Sequence, residues 1–333
     1  MKIDIFAHIL TDKYLESIEK NIAPAAFEIF RATYKPFPAI ANLNTRFQIM
    51  DKHKDYLQIL TLTVPFLESF TEPKTTVELV KVGNDEMAEL VSKYPDRFSA
   101  AVANLPMNDL DASFKELERV IEKLHFKGIQ LCTDINGKPL DSPEFLPFFE
   151  KMHRYNLPIW LHPTRGPKIA DYTTETASKY KIHHIFGWPY DTSVTMVRLV
   201  LSHVLEKYPG LKLITHHLGA MIPFFDKRLL SFLRGRDMEQ YTKGLSKPPL
   251  DYFKMFYGDT ALQGSTSGLM CGYAFFGAEH MLFGTDMPYG SYSGERTVVE
   301  ETIDSIERMN ITNTEKEKIF KDNTIKLLNL KMK

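Results

Sequence analysis

Cysteine is nearly missing from this chain: Cys132 and Cys271 are the only two in 333 residues. Two thiols so far apart give no disulfide framework, and such usage fits a reducing compartment. No run of about eighteen apolar residues, the length a membrane-spanning helix needs, occurs anywhere. The opening Met1–Leu10 is apolar, but Asp4 and His8 interrupt it and Thr11, Asp12 and Lys13 follow at once. That is too short an apolar segment for a secretory leader. An excess of one charge is missing too, since 41 Lys and Arg face 42 Asp and Glu for a formal charge of −1. No long basic run interleaves with aromatics, so nothing marks a nucleic-acid surface. Low-complexity segments, Gly/Ser linkers and short-period repeats are also absent. Together these absences predict a soluble cytoplasmic protein with neither nucleic-acid nor membrane partners.

What is present is a recurring unit. Short apolar runs, partly β-branched or aromatic, read as buried parallel strands at Ile3–Phe6, Leu57–Leu62, Phe98–Leu105, Gly128–Leu131, Pro158–Leu161, Leu211–Thr215, Lys254–Tyr257 and Met281–Phe283. Amphipathic stretches separate them. In Asp111–Leu124 the apolar residues Phe114, Leu117, Val120, Ile121 and Leu124 fall at helical spacing. Thr76–Lys93, Ser142–Tyr155, Thr192–Tyr208 and Thr297–Met309 read in the same way. Eight strands alternating with helices predict an α/β fold, a closed (β/α)₈ TIM barrel, as one domain over residues 1–333. Residues 11–45 hold extra helical pieces with Pro24, Pro36 and Pro38 and read as a small helical insertion over the barrel mouth. A last helical stretch, Asn313–Leu330, ends the chain.

In such a barrel the chemistry collects at the carboxyl ends of the strands and in the loops just after them. Polar residues suited to a divalent ion stand there four times: His8 after strand one, His162 at the end of strand five, His217 at the end of strand six and Asp286 after strand eight. A lone histidine at a strand end is ordinarily structural; the recurrence at one end of four strands makes the case. Side chains alternate along a strand, so His216 and His217 are not both expected to face the barrel interior, and strand parity alone does not choose between them. The remaining histidines, His183 and His184 included, read as surface or core residues.

These residues resemble the decarboxylase-like branch of the amidohydrolase superfamily, typified by aminocarboxymuconate semialdehyde decarboxylase and γ-resorcylate decarboxylase. The resemblance runs through MKIDIFAHIL at the start, LHP at 161–163, GWPYDTSVTMVRLVLSHVLEKYPGLKLITHHLGAMIPFF at 187–225, YGDTA at 257–261 and FGTDMPYG at 283–290. It implies a distorted (β/α)₈ barrel holding one divalent metal, zinc foremost and manganese as the alternative. It carries metal-ligand roles to His8, His162 and Asp286. It also aligns a His-Gly-Gly-like segment with His217–Ala220, which makes His217 the catalytic histidine. Arg46 falls where the family binds a substrate carboxylate. Arg228 falls where an arginine reaches into a neighbouring subunit's site, which implies a homodimer or higher homo-oligomer. A guanidinium suits both tasks, since it grips carboxylates bidentately and stays charged. Asp191 and Thr192 match a further polar pair, for which a helix N-cap is the expected role.

One departure stands out. The family opens with His-x-His or Glu-x-His, and here the tripeptide is Phe6-Ala7-His8. Phe6 shares a strand face with His8 and therefore enters the cavity where a ligand is expected. Three readings follow: a metal held by His8, His162 and Asp286, a metal-free acid–base site, or a ligand-binding relative without catalysis. The first is preferred, because unpaired polar groups are costly inside an apolar barrel. The resulting expectation is a non-oxidative decarboxylase for a carboxylated aromatic or unsaturated acid. Asp286 and His217 are its catalytic pair, Arg46, Arg228, Phe6 and Trp188 its substrate contacts, and Trp160, Tyr190 and Tyr289 part of an aromatic mouth. A hydrolase or hydratase on the same barrel is the rival, since it needs the same groups.

Overall fold

The structure, a computed structural model, describes residues 1–63, 67–290 and 296–331. Eight parallel strands among the described residues carry the fold: β1 Lys2–Ile9, β2 Tyr56–Leu62, β3 Phe98–Val102, β4 Ile129–Cys132, β5 Ile159–His162, β6 Leu213–Thr215, β7 Tyr257–Asp259 and β8 Met281–Leu282. β1, β2 and β3 pair in that order, and β4 to β8 pair in theirs. Single parallel bridges join the two sheets at both seams, Ala103 with Ile129 and Ala7 with Met287. Strand order around the ring is therefore chain order, as expected of a (β/α)₈ barrel. No helix among the described residues is long and apolar enough to cross a membrane.

Two hydrophobic layers follow from strands buried on both faces. Ile3, Ile5, Phe6, Ile59, Val102, Trp160, Ile214 and Leu282 pack together inside the ring. The larger cluster lies between the strands and the outer helices and draws on Leu60, Leu117, Phe148 and Leu199 among others. The final helix, Asn323–Leu328, adds Leu327 and Leu328 to the inner cluster and so covers the end of the barrel opposite the strand C-termini.

The outer helices form where periodicity places them. Leu110–Glu122 starts at Asp109, whose carboxylate accepts from Ala112 N–H at 2.9 Å, a side-chain cap that satisfies one of the unpaired first-turn donors. Other boundaries moved. The helix expected at Thr192–Tyr208 begins earlier, at Trp188, and breaks at His203, whose φ of 64° is left-handed. Asp191 and Thr192 therefore lie inside it, and the N-cap expectation does not hold. The seventh strand is displaced from Lys254–Tyr257 to Tyr257–Asp259, because Pro249–Phe253 is helical. The insertion forms three α-helices, Asp12–Asn21, Pro24–Tyr34 and Leu43–Met50, the last running on past its end. The first packs on the barrel's flank, where Tyr14 N–H donates to Glu86 at 2.8 Å. The segment after the second reaches the mouth: Phe37 meets the Tyr289 ring at 5.1 Å, and Tyr289 in turn lies 5.6 Å from His8.

Candidate metal and catalytic centre

Four strand ends converge. β1 carries a register shift between Asp4 and Ala7, so that Ile5 and Phe6 both turn inward and His8 follows on the same side. The Asp4 carboxylate holds this bulge by accepting from Phe6 N–H at 3.1 Å. His8 Nε2 lies 3.2 Å from Asp286 Oδ1, and its Nδ1 is paired with the Thr61 hydroxyl at 3.2 Å. His162 ends β5 and faces the Pro163 carbonyl through Nδ1 at 2.7 Å. His216 follows β6, its Nδ1 held in a short hydrogen bond by Asp259 of β7 and its Nε2 3.5 Å from Asp286 Oδ1. In each imidazole one nitrogen is fixed by a protein partner and the other turns to the common centre. That is how metal-binding histidines are normally oriented.

Ligating atoms of His8, His162 and His216 lie within 4.8 Å of one another, and so do those of His216, His217 and Asp286. Burial and charge set their protonation. Burial raises the Asp286 carboxyl, but His216 and His8 outweigh it and hold the group far below the ordinary carboxylate range. Burial pulls His216 down, yet Asp259 and Asp286 push it up to about 10. His162 and His217 are held well below the usual histidine value, by burial first and by neighbouring imidazoles next. Two of the buried nitrogens, Nε2 of His216 and Nδ1 of His217, have no hydrogen-bond partner among the described residues. Such orphaned nitrogens beside a carboxylate fit a divalent cation, whose binding would offset the cost of burying them.

His216 was not expected to join His217 here. Alternation holds only while the chain is extended, and β6 ends at Thr215; His217 and Leu218 then adopt left-handed φ values of 54°. The turn brings both imidazoles to the cavity, their ring centres 3.9 Å apart. Gly258 makes room for it, since a Cβ there would come within 3.0 Å of Leu218 Cα. The signal that sequence reading passed over was Asp259 in YGDTA, a buried carboxylate one strand away from His216.

Several expected substrate contacts are placed differently. Arg46 is wholly buried, with Nε donating to the Ala39 carbonyl at 3.1 Å, one terminal nitrogen to Gln58 Oε1 at 2.6 Å and the other, in a short contact, to the His8 carbonyl. It is not open to a substrate carboxylate, because every nitrogen already serves the backbone or side chains beneath the site. The chain of bonds continues from Gln58 to Tyr56 at 3.0 Å, from Tyr56 to Asp4 at 2.6 Å, and to Asp4 from the Thr285 N–H at 3.0 Å and hydroxyl at 2.5 Å. Arg46 is thus a support for His8 and, through this relay, for the Asp286 loop. Phe6 does enter the cavity, but it is fully buried and stacks on His216 at 4.2 Å, as floor rather than wall. Trp188 stands edge-on to His162 at 5.5 Å and packs on His184 at 4.0 Å, so His184 belongs to the rim. Trp160 is a packing residue, its Nε1 donating to the Ile5 carbonyl at 3.0 Å. Arg228 is exposed and lies over Phe232 at 5.0 Å, outside the cluster of its own chain.

Known proteins resemble this chain in sequence and fold. The chain is 29% identical to a γ-resorcylate decarboxylase from Polaromonas sp. over 86% of each protein. It is 27% identical to 2-amino-3-carboxymuconate-6-semialdehyde decarboxylase from Dictyostelium discoideum, over 86% of this chain and 76% of that one. The crystal structure of 5-carboxyvanillate decarboxylase from Sphingomonas paucimobilis superposes with a TM-score of 0.84, at 23% identity over 99% of each chain. A dihydroxybenzoic acid decarboxylase from Polaromonas sp., solved with bound manganese and the inhibitor 2-nitroresorcinol, superposes with a TM-score of 0.76, at 24% identity over 98% of this chain and 96% of that one. The family described as Amidohydrolase, Amidohydro_2, matches residues 60–330. With barrel, histidines and aspartate in place, this chain belongs to the amidohydrolase family and groups there with decarboxylases.

Proposed function

We propose that this protein is a metal-dependent, non-oxidative decarboxylase of a hydroxylated aromatic or related unsaturated acid. The observation that carries the reading is that ligating atoms of His8, His162 and His216 lie within 4.8 Å of one another, as do those of His216, His217 and Asp286, with His8 Nε2 3.2 Å from Asp286. His8, His162 and Asp286 would hold the cation, with zinc or manganese suited to the donor set. When bound, it supplies a Lewis acid for a substrate oxygen beside the carboxylate and for charge left on carbon. Trp188, Tyr289 and Phe37 give the mouth flat apolar walls for a conjugated ring.

The reaction breaks the bond from ring carbon to carboxylate. CO₂ leaves, the electron pair stays on the carbon, and that carbon takes a proton. Asp286 and His217 reach the same space as His216 and are placed to take a proton from the acid or its hydroxyl and return it to the carbon. Arg228 stands on a surface with exposed Phe224 and Phe232 and would reach the site of a neighbouring copy. The relatives' names supply the substrate class: they act on resorcylate, carboxyvanillate and carboxymuconate semialdehyde.

The test is release of CO₂ from 2,6-dihydroxybenzoate and 5-carboxyvanillate by manganese-loaded protein. Chelation and Asp286→Asn are each expected to abolish it while the fold persists. Full activity after chelation would remove the metal from the mechanism. Uptake of water by a lactone or amide with no gas evolved would turn the assignment to the hydrolase alternative.

A further inference from the structure

We infer that His216, aimed by Asp259, is a ligand of the cation in its own right and takes the place in the donor set that Phe6 leaves vacant on β1. The inference rests on the metal-dependent reading above and adds to it a ligand supplied by a different strand.

Phe6 brings no donor atom, and its ring lies against the His216 ring at 4.2 Å and a 27° interplanar angle. The phenyl therefore fills the space of a β1 ligand and forms the platform on which an imidazole from β6 rests. That imidazole is fully buried. Its Nδ1 is tied to Asp259, which is itself wholly buried and receives Ala261 N–H at 3.0 Å on its other oxygen. A carboxylate in this position fixes the ring and makes its second nitrogen a stronger donor. Nε2 has no hydrogen bond among the described residues and lies with the ligating atoms of His8 and His162 inside 4.8 Å. It also stands 3.5 Å from the Asp286 oxygen that His8 approaches to 3.2 Å. Three imidazoles thus offer donor atoms to one space, with the Asp286 carboxylate against two of them. The donor count lost with Phe6 is restored from the far side of the ring.

Two consequences separate this arrangement from a centre held by His8, His162 and Asp286 alone. Metal affinity depends on His216, and a histidine at position 6 makes His216 dispensable. Manganese binding is to be measured by equilibrium dialysis with elemental analysis for the wild type, His216→Ala, Phe6→His, and the double variant. His216→Ala is expected to weaken binding by about 100-fold, at the upper end of what even supporting residues cost, and the double variant to recover most of that loss. An affinity for His216→Ala within about threefold of wild type would overturn the ligand role and leave the three-residue metal site standing. A wild-type protein that takes up neither manganese nor zinc would overturn both. Pulsed electron paramagnetic resonance of the manganese-loaded wild type, labelled with ¹⁵N-histidine, needs no variant to fold. Coupling to three imidazole nitrogens is expected, and two would sink the inference.

Discussion

Replacing Arg46 with methionine tests whether this arginine supports the site or binds substrate. The side chain is wholly buried and donates to the Ala39 carbonyl, Gln58 Oε1 and the His8 carbonyl. Hydrogen bonds from a charged donor contribute roughly 1.5–3 kcal/mol each, and a buried acceptor left without a partner costs about 1–3 kcal/mol. Methionine recovers part of the packing and none of the donors. Three buried acceptors left unpaired, less what the packing recovers, put the net loss at about 4 kcal/mol. With an unfolding entropy of roughly 2.1 cal/mol/K per residue, that loss lowers the melting temperature by about 6 °C in a chain of this length. Thermal and urea unfolding read the stability. The Michaelis constant for whichever acid releases CO₂ reads substrate binding. Stability should fall, and kcat should fall with it as the His8 backbone loses its anchor. A melting temperature unchanged within 1 °C together with a Michaelis constant raised tenfold or more would refute this reasoning and return Arg46 to the substrate.

Other perturbations bear on the same scaffold. Burial pushes Asp4 up to about 6 from 3.8, against four hydrogen bonds that pull it down. The folded protein therefore binds the extra proton between those values, and stability should fall by about 3 kcal/mol as pH rises through the window from about 4 to about 6. Urea unfolding of chelated protein should show that slope in the wild type and not in Asp4→Asn. Gly258→Ala puts a methyl group within 2.9 Å of Leu218 Cδ1 and 3.0 Å of its Cα. It should displace the His217 turn and cut kcat by tenfold or more, with secondary structure unchanged by circular dichroism. Thr312 caps the helix at Asn313–Glu317 in a reciprocal pair with Glu315, far in sequence from the site. Thr312→Ala should cost about 1 kcal/mol in unfolding and leave kcat/KM unchanged.

The strands were readable where burial on both faces makes a nearly continuous apolar run, as in Ile59–Leu62 and Ile159–Leu161, which are buried throughout, the one polar residue, Thr61, pairing its hydroxyl with His8. β7 was misplaced because its work is done by Gly258 and Asp259, residues that ordinarily argue against a strand. Here one is required for backbone clearance and the other for His216, in the turn that follows the neighbouring strand β6. Strand-end placement likewise made His8, His162 and Asp286 legible, since that position depends only on where an apolar run stops. How Arg46 is held was not legible, because the type of side chain says what it can grip and not which way it points. Its partners are two carbonyls and an amide, which leave no mark in sequence.

The pair at 216 and 217 exposes the physical limit of pattern reading most clearly. Period-two alternation is a property of extended backbone, and it lapses at the residue where the chain turns. Active sites on barrels are built at those turns, so the rule is weakest where the chemistry is. Deciding between two adjacent histidines needs a fact from elsewhere in the chain: a carboxylate at 259 for one, and a glycine at 258 that lets the backbone fold back for the other. Phe6 belongs to the same problem. Taken alone it looks like a lost ligand, but with the His216 ring resting on it and Asp259 behind that ring, it reads as one half of an exchange between strands. The cost of two buried imidazole nitrogens without partners, His216 Nε2 and His217 Nδ1, would select against such an exchange unless a cation sits among them.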